Sequence, residues 1–256
     1  MERPWASYPS LAGKRVFITG GASGIGAALV EAFTRQHASV AFVDIARDEA
    51  EALCARLRNT GQPAPLFRYC DLTALDSLTA TINEIVAQIG DIDVLVNNAA
   101  NDQRHQLETL KPAQWDQLNA INQRPMFFTC QAVVPAMRRR GGGAIINMGS
   151  ISWHIKSGGY PAYAAAKAAV CGLTRALARD LGRDGIRVNT VSPGWVMTAR
   201  QQALWLDAAG EEEIRRNQCL PGQLMPADVA ALVMFLAADD SAMCTAQEFI
   251  VDGGWS

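Results

Sequence analysis

Short apolar runs alternate along the chain with segments whose apolar residues recur every three to four positions. These two periods mark strands and amphipathic helices in turn. RVFIT at 15–19 predicts a first strand and 24–35 a helix. VAFVD at 40–44 and the charged segment 48–58 predict the next pair, and 66–70 with 75–89 the third. VLVN at 94–97 predicts a fourth strand, and Pro112 suits the first turn of a long helix running to about Arg139. AIINM at 144–148, an alanine-rich helix at 161–181 and a sixth strand at 186–191 follow. The stretch 199–225 has no clean period and reads as an irregular or partly helical insertion, before a helix at 226–237 and a last strand at 248–251. Strands alternating with helices at this spacing predict a parallel sheet covered on both faces. The expected architecture is one α/β domain over 1–256, a Rossmann-type doubly wound sheet of seven strands, with 199–225 as a lid over the substrate.

Composition narrows the partners. The chain has 256 residues, 49% of them hydrophobic, enough for a large buried core. A net charge of −2 argues against nucleic acid as a partner, and Arg138, Arg139 and Arg140 read as a solvated helix end suited to the macrodipole. The start, MERPWASYPSLAGKR, has no apolar core, so no signal peptide is expected. No apolar run approaches the ~20 residues of a membrane span. Six cysteines without a CxxC pair read as reduced thiols, hence a cytoplasmic location, and three scattered histidines predict no metal.

The turn after the first strand reads Thr19-Gly20-Gly21-Ala22-Ser23-Gly24-Ile25-Gly26. Glycines there let the backbone approach a pyrophosphate, and the following helix offers unpaired N–H groups and the positive end of its dipole. Asp44 ends the second strand, 18 residues after Gly26, where a carboxylate can take both ribose hydroxyls of an adenosine. A 2′-phosphate would meet its negative charge, so NAD is favoured over NADP, with Arg47 near enough to soften the preference. Asp71, after the third strand, could bond the adenine amino group or simply cap a helix. Tyr163 and Lys167 stand at i and i+4 on one predicted helix and so share a face. Lowering a phenol pKa by ~3 units takes roughly 4 kcal/mol, which a desolvated ammonium and an oxidised nicotinamide together can supply.

These pieces, in order, resemble the short-chain dehydrogenase/reductase family along nearly the whole chain. The resemblance is carried by TGGASGIG at 19–26, Asp44, Asp71-Leu72, NNAA at 97–100, Asn122, Ser150, YAAAK at 163–167, IRVN at 186–189, PGWVMT at 193–198 and VDGG at 251–254. It implies an enzyme in which Tyr163 exchanges the proton, Ser150 orients the reacting oxygen, Lys167 lowers the Tyr163 pKa and holds the nicotinamide ribose, and Asn122 holds a water linking Lys167 to solvent. It implies cofactor contacts from Gly20, Ser23, Gly24, Ile25, Gly26, Asp44, Asp71, Leu72, Asn98, Ala99, Tyr163 and Lys167. Pro193, Gly194, Val196 and Thr198 would clasp the nicotinamide carboxamide. Family relatives also bury the long helices 112–139 and 161–181 in dimers and tetramers, so a homotetramer or dimer is expected. Two departures stand out. Ala100 replaces the usual glycine, so the backbone there must tolerate a Cβ. Pro125, three residues after Asn122, removes a hydrogen bond to the Ile121 carbonyl and should kink the long helix.

For substrate, NDQRH at 101–105, GSISWH at 149–154 and CTAQE at 244–248 resemble the bacterial sugar dehydrogenases of that family. A sugar needs convergent polar partners and an aromatic face. Asn101, Arg104, Ser152, His154 and Gln218 are the polar candidates, with Trp195 or Trp153 as the ring. The expected reaction is oxidation of an anomeric C1 hydroxyl to an aldonolactone with NAD. The alternatives are another secondary alcohol or ketone, or an NAD-binding regulatory protein without turnover.

Overall fold

A computed structural model describes residues 5–59 and 63–256. Its strands are β1 (Arg15–Thr19), β2 (Ser39–Asp44), β3 (Leu66–Tyr69), β4 (Val94–Asn97), β5 (Gly143–Met148), β6 (Ile186–Pro193) and β7 (Glu248–Val251). They form one parallel sheet in the order β3-β2-β1-β4-β5-β6-β7, as the alternating pattern predicts. The helices between them are α1 (Gly24–Arg35), α2 (Arg47–Arg58), α3 (Leu75–Ile89), α4 (Pro112–Asn122), α5 (Arg124–Arg140), α6 (Pro161–Leu181), α7 (Ala199–Leu204), α8 (Ala208–Asn217) and α9 (Pro226–Ala237).

Alternate residues of each strand face opposite sides. Along β1, Val16 and Ile18 join one buried cluster with Leu29 and Phe33 of α1 and Val229 and Val233 of α9. Phe17 joins the other, with Ile82 of α3, Val133 of α5 and Val188 of β6. Burying each such side chain contributes about 1.5–3 kcal/mol. A polar seam crosses this interior. Asn97 donates to Asn147 at 2.9 Å and accepts from Thr129 at 2.6 Å, while Asn147 donates to Thr174 at 3.0 Å. Every amide and hydroxyl in it is satisfied by another, which lets β4 and β5 carry asparagines inside the core.

One expectation is corrected. The single long helix over 112–139 is two helices: Gln123 leaves helical geometry at φ −132°, and Pro125 stands in the first turn of α5 instead of kinking a continuous rod. Proline has no N–H, and the first turn of a helix is where none is needed. The stretch 199–225 is partly helical, as expected, with the Thr198 side chain capping α7 and that of Asp207 capping α8. No helix among the described residues is long and apolar enough to cross a membrane. The strand order reverses between β1 and β4, and the loops at their carboxyl ends open the crevice where doubly wound sheets bind ligands.

Candidate active site

The turn after β1 is packed so that side chains are excluded. Gly20 has φ +68°, and a Cβ there would stand 2.8 Å from the Ala99 Cα. A Cβ on Gly26 would stand 1.8 Å from the Gly20 carbonyl oxygen. Asn98 holds the turn from the β4 side, donating to the Gly20 and Thr19 carbonyls at 2.8 and 3.1 Å. Ser23 caps α1 without a side-chain bond to its first turn, so those N–H groups face the crevice unclaimed by it. The half-buried Asp44 carboxylate accepts from the Ala22 and Ala46 N–H groups at 2.9 and 3.0 Å, which fixes it beside the turn with lone pairs to spare. Arg47 lies over the Tyr69 ring, 5.1 Å from its centroid, and near Glu51. Asp71 accepts from Thr73 N–H and hydroxyl, shaping the start of the next segment. Leu72 is buried in the core, so its side chain is not available to a cofactor. Ala100 lies outside the left-handed region, so its Cβ fits without strain, at the cavity wall.

The chemistry gathers at the ends of β5 and α6. Ser150 follows β5, accepts from the Ser152 N–H at 3.1 Å and hydrogen-bonds the Tyr163 hydroxyl. Lys167 lies one turn along α6 from Tyr163, is 1% exposed, and donates to the Met148 carbonyl at 2.7 Å. Its ammonium sits 5.7 Å from the centroid of the Tyr163 ring. Burial drives both groups toward neutrality: it lowers the Lys167 pKa to about 8 and raises that of Tyr163. The Ser150 hydrogen bond and the Arg104 charge oppose the Tyr163 shift, and Asp102 and Tyr160 reinforce it. Without a dinucleotide, withdrawal from water outweighs the Ser150 hydrogen bond and the Arg104 charge at Tyr163. Asn122 ends α4 fully buried. It accepts from the Asn101 N–H at 2.8 Å and donates to the Asn101 carbonyl at 2.9 Å, so its amide clamps the loop after β4. Beyond it, Pro125 offers no N–H to the Ile121 carbonyl, and the Met126 N–H turns to Gln123 at 3.1 Å.

A cavity of about 470 Å³ joins these parts. Ile25, Asn98, Pro193, Gly194, Val196 and Thr198 line it together with Ser150, Tyr163 and Lys167. Of the substrate candidates, Arg104, Ser152 and Trp195 line it. Asn101 lines an adjoining cavity of about 1000 Å³ that shares Arg104 and Trp195, and its side chain accepts from the Gln103 N–H. Two candidates are corrected. His154 turns away to Glu248 of β7 at 2.9 Å, because the single 3-10 turn Ile151–Trp153 carries it past the rim. Gln218 ends α8 packed on Gly253, outside both cavities. Sequence reasoning missed Asp102, Tyr160, Gln201, Glu213 and Trp255, which also line the first cavity. Asp102 bonds Gln201 of α7 at 2.6 Å and pairs with Arg200, tying the loop after β4 to the insertion. Among the described residues, no group of acidic, histidine and cysteine side chains could hold a metal.

Comparison with known proteins agrees with this geometry. Residues 20–256 match the family model described as enoyl-(acyl carrier protein) reductase. The chain is 52% identical over 250 residues to D-xylose 1-dehydrogenase of Caulobacter vibrioides, covering 98% of both. It is 47% identical over 255 residues to the probable galactose dehydrogenase GalD of Rhizobium meliloti, covering 99% of both. Its fold superposes with a TM-score of 0.92 on a 7α-hydroxysteroid dehydrogenase complexed with NADH and 7-oxo glycochenodeoxycholic acid, at 29% identity over 97% of this chain and 96% of that one. With its nucleotide turn, its Ser150–Tyr163–Lys167 cluster and full-length relatives of this kind, the chain belongs to the short-chain dehydrogenase/reductase family of nicotinamide-dependent oxidoreductases.

Proposed function

We propose that this protein is an aldose 1-dehydrogenase that oxidises the C1 hydroxyl of a pentose or galactose-like aldopyranose to the aldonolactone, with NAD as hydride acceptor. The observation that carries the reading is the meeting of Ser150, Tyr163 and Lys167 in one cavity with the segment from Pro193 to Thr198. Relatives named for D-xylose and galactose direct the substrate end toward sugars.

The residues present fit a dinucleotide. The free first turn of α1 and the Gly20–Gly26 cradle suit a pyrophosphate. Lys167 uses one bond to Met148 and keeps two N–H groups for ribose hydroxyls. Asp44 suits an adenosine 2′-hydroxyl and repels a 2′-phosphate, while Arg47 is directed toward Tyr69 and Glu51. These features support NAD over NADP. When bound, the nicotinamide supplies the carbon that accepts the hydride from C1. Ser150 holds the reacting oxygen by hydrogen bond, and Tyr163 takes its proton as C1 becomes a carbonyl carbon. The sum is aldose plus NAD⁺ giving lactone, NADH and a proton. Lys167 and Asn122 stand on the path by which that proton leaves. Exposed Trp115 on α4 and Phe127 on α5 support assembly as a homotetramer or dimer, and we place the enzyme in the cytoplasm.

The test is a panel of aldoses and simple alcohols with NAD or NADP, followed as absorbance of reduced cofactor. Pentoses or galactose with NAD should react, and Tyr163→Phe should cut turnover by at least about 10²–10⁴-fold while NAD still binds. Activity confined to ketones with NADPH would remove the reading.

A further inference from the structure

Tyr163 stands third in α6. The first turn of a helix is its least secured part, because its N–H groups have no partner within the helix. Lys167 lies a turn further in and is locked by its bond to Met148. Nothing local caps that first turn. Pro161 has no N–H to satisfy, and the residue before it, Tyr160, makes no side-chain bond to the helix, its hydroxyl donating to Ser157 at 2.8 Å.

The cap comes from the loop after β4, 57 residues away. The N–H of Ala162, next to Tyr163, donates to His105 Nε2 at 3.3 Å. The His105 N–H donates to the Gly159 carbonyl at 2.8 Å. Arg104 donates to the Gly158 carbonyl at 3.4 Å and lies over the Tyr160 ring, 3.8 Å from its centroid. Arg104 and His105 thus grip the chain entering α6 as well as its first free N–H. The loop that supplies them is itself fixed, since Asn122 clamps Asn101 at its start.

The partners of the His105 ring decide where its proton sits. A backbone N–H can only donate, so Nε2 accepts and carries no proton. Nδ1 then carries the proton and donates to the Gln103 carbonyl at 3.1 Å. One neutral tautomer satisfies both ends of the ring.

We infer that His105 is a positioning residue: as the Nδ1–H tautomer it caps α6 from the loop after β4 and holds the turn that carries Tyr163 in register with Ser150. This rests on Tyr163 as the group that takes the proton, and not on which alcohol is oxidised.

The test reads the ring and then the rate. Nitrogen NMR of the three histidine rings at mildly alkaline pH, with His105 assigned by the signal lost on substitution, should show it as the Nδ1–H tautomer. An Nε2–H ring, or one exchanging between the two forms, overturns the cap whichever variants fold and whatever the substrate. For the rate, His105→Phe keeps a ring without the acceptor, and His105→Gln sets an oxygen near the place of Nε2. With the best aldose of the panel, kcat should fall at least about tenfold in His105→Phe, because misplacing a reacting group by about 1 Å costs that much or more. KM and the affinity for NADH should stay within about threefold. His105→Gln should return kcat to within about threefold of the wild type. His105→Ala replaces the phenylalanine variant if melting shows that variant unfolded. A folded acceptor-free variant with wild-type kcat, or equal losses in the phenylalanine and glutamine variants, overturns the role. A wild type that oxidises no aldose overturns the aldose reading alone, and kcat is then read with the alcohol of the panel that reacts.

Discussion

Replacing Lys167 with methionine should stabilise the fold while removing turnover. The lysine is 1% exposed and makes one hydrogen bond, to the Met148 carbonyl. Burial lowers its pKa from 10.5 to about 8. At neutral pH the group is charged in both folded and unfolded chains, so the fold bears the cost of that shift, about 3 kcal/mol. Methionine has similar volume and no charge to desolvate, so this cost disappears. Losing the bond to Met148 returns about 1 kcal/mol of it. The net gain of roughly 2 kcal/mol corresponds to a rise in Tm of roughly 4–8 °C for a chain of this size.

The pH dependence separates this account from a general packing effect. Between pH 8 and 10.5 the unfolded lysine still holds its proton while the folded one has released it. The wild type therefore gains stability with rising pH, by about 1.4 kcal/mol per unit relative to the variant. The advantage of Lys167→Met should be full at pH 7, shrink above pH 8 and be gone, or slightly reversed, near pH 10.5. Denaturant melts of both proteins from pH 6 to 10.5 read this directly. A variant less stable than the wild type at pH 7, or a gap that ignores pH, would refute the claim that the buried ammonium is held at a cost.

Three further outcomes follow from the same geometry. Gly26→Ala should abolish NADH binding in a fluorescence titration, because its Cβ would meet the Gly20 carbonyl inside the nucleotide turn. Asp102→Asn removes a charge that raises the Tyr163 pKa, so the rising limb of the pH profile for oxidation should move to lower pH. An unmoved or alkaline-shifted limb would exclude Asp102 as a neighbour of the reacting phenol. Asn122→Ala leaves the Asn101 N–H and carbonyl without their partner and should cost about 2–4 kcal/mol in urea melts.

The frame of the fold was legible because its signals are local. Each strand is a short apolar run, and each crossover helix has its own period. The cofactor turn was legible because only glycine fits where Gly26 meets Gly20. The features left open or missed are those whose signal is weak or distant. In the insertion, Thr198 and Asp207 are ordinary helix-capping residues, but α7 buries no residue and α8 buries only Gly210 and Ile214, so no apolar stripe announces them. The division at Gln123 had its cue in Pro125. At the break, Asn122 bonds Asn101, 21 residues away, a partner no local pattern points to. His154 had the right neighbours in sequence and the wrong direction in space, since its partner Glu248 lies 94 residues on.

The costs in this molecule are not spread evenly. Along the interior of the sheet, polar groups such as Asn97, Asn147 and Thr174 answer one another. At the carboxyl edge they do not: Lys167 holds a charge with one bond, Tyr163 is withdrawn from water, and Arg104, Ser152, Trp195 and Trp205 carry unpaired atoms. For Lys167 the imbalance has a physical use, because an ammonium desolvated in advance interacts with a bound ribose at full strength. Stability given up at Lys167 is recovered when the dinucleotide arrives. On that account, the Lys167 cost belongs to the function: the fold is made less stable where the reaction is to occur.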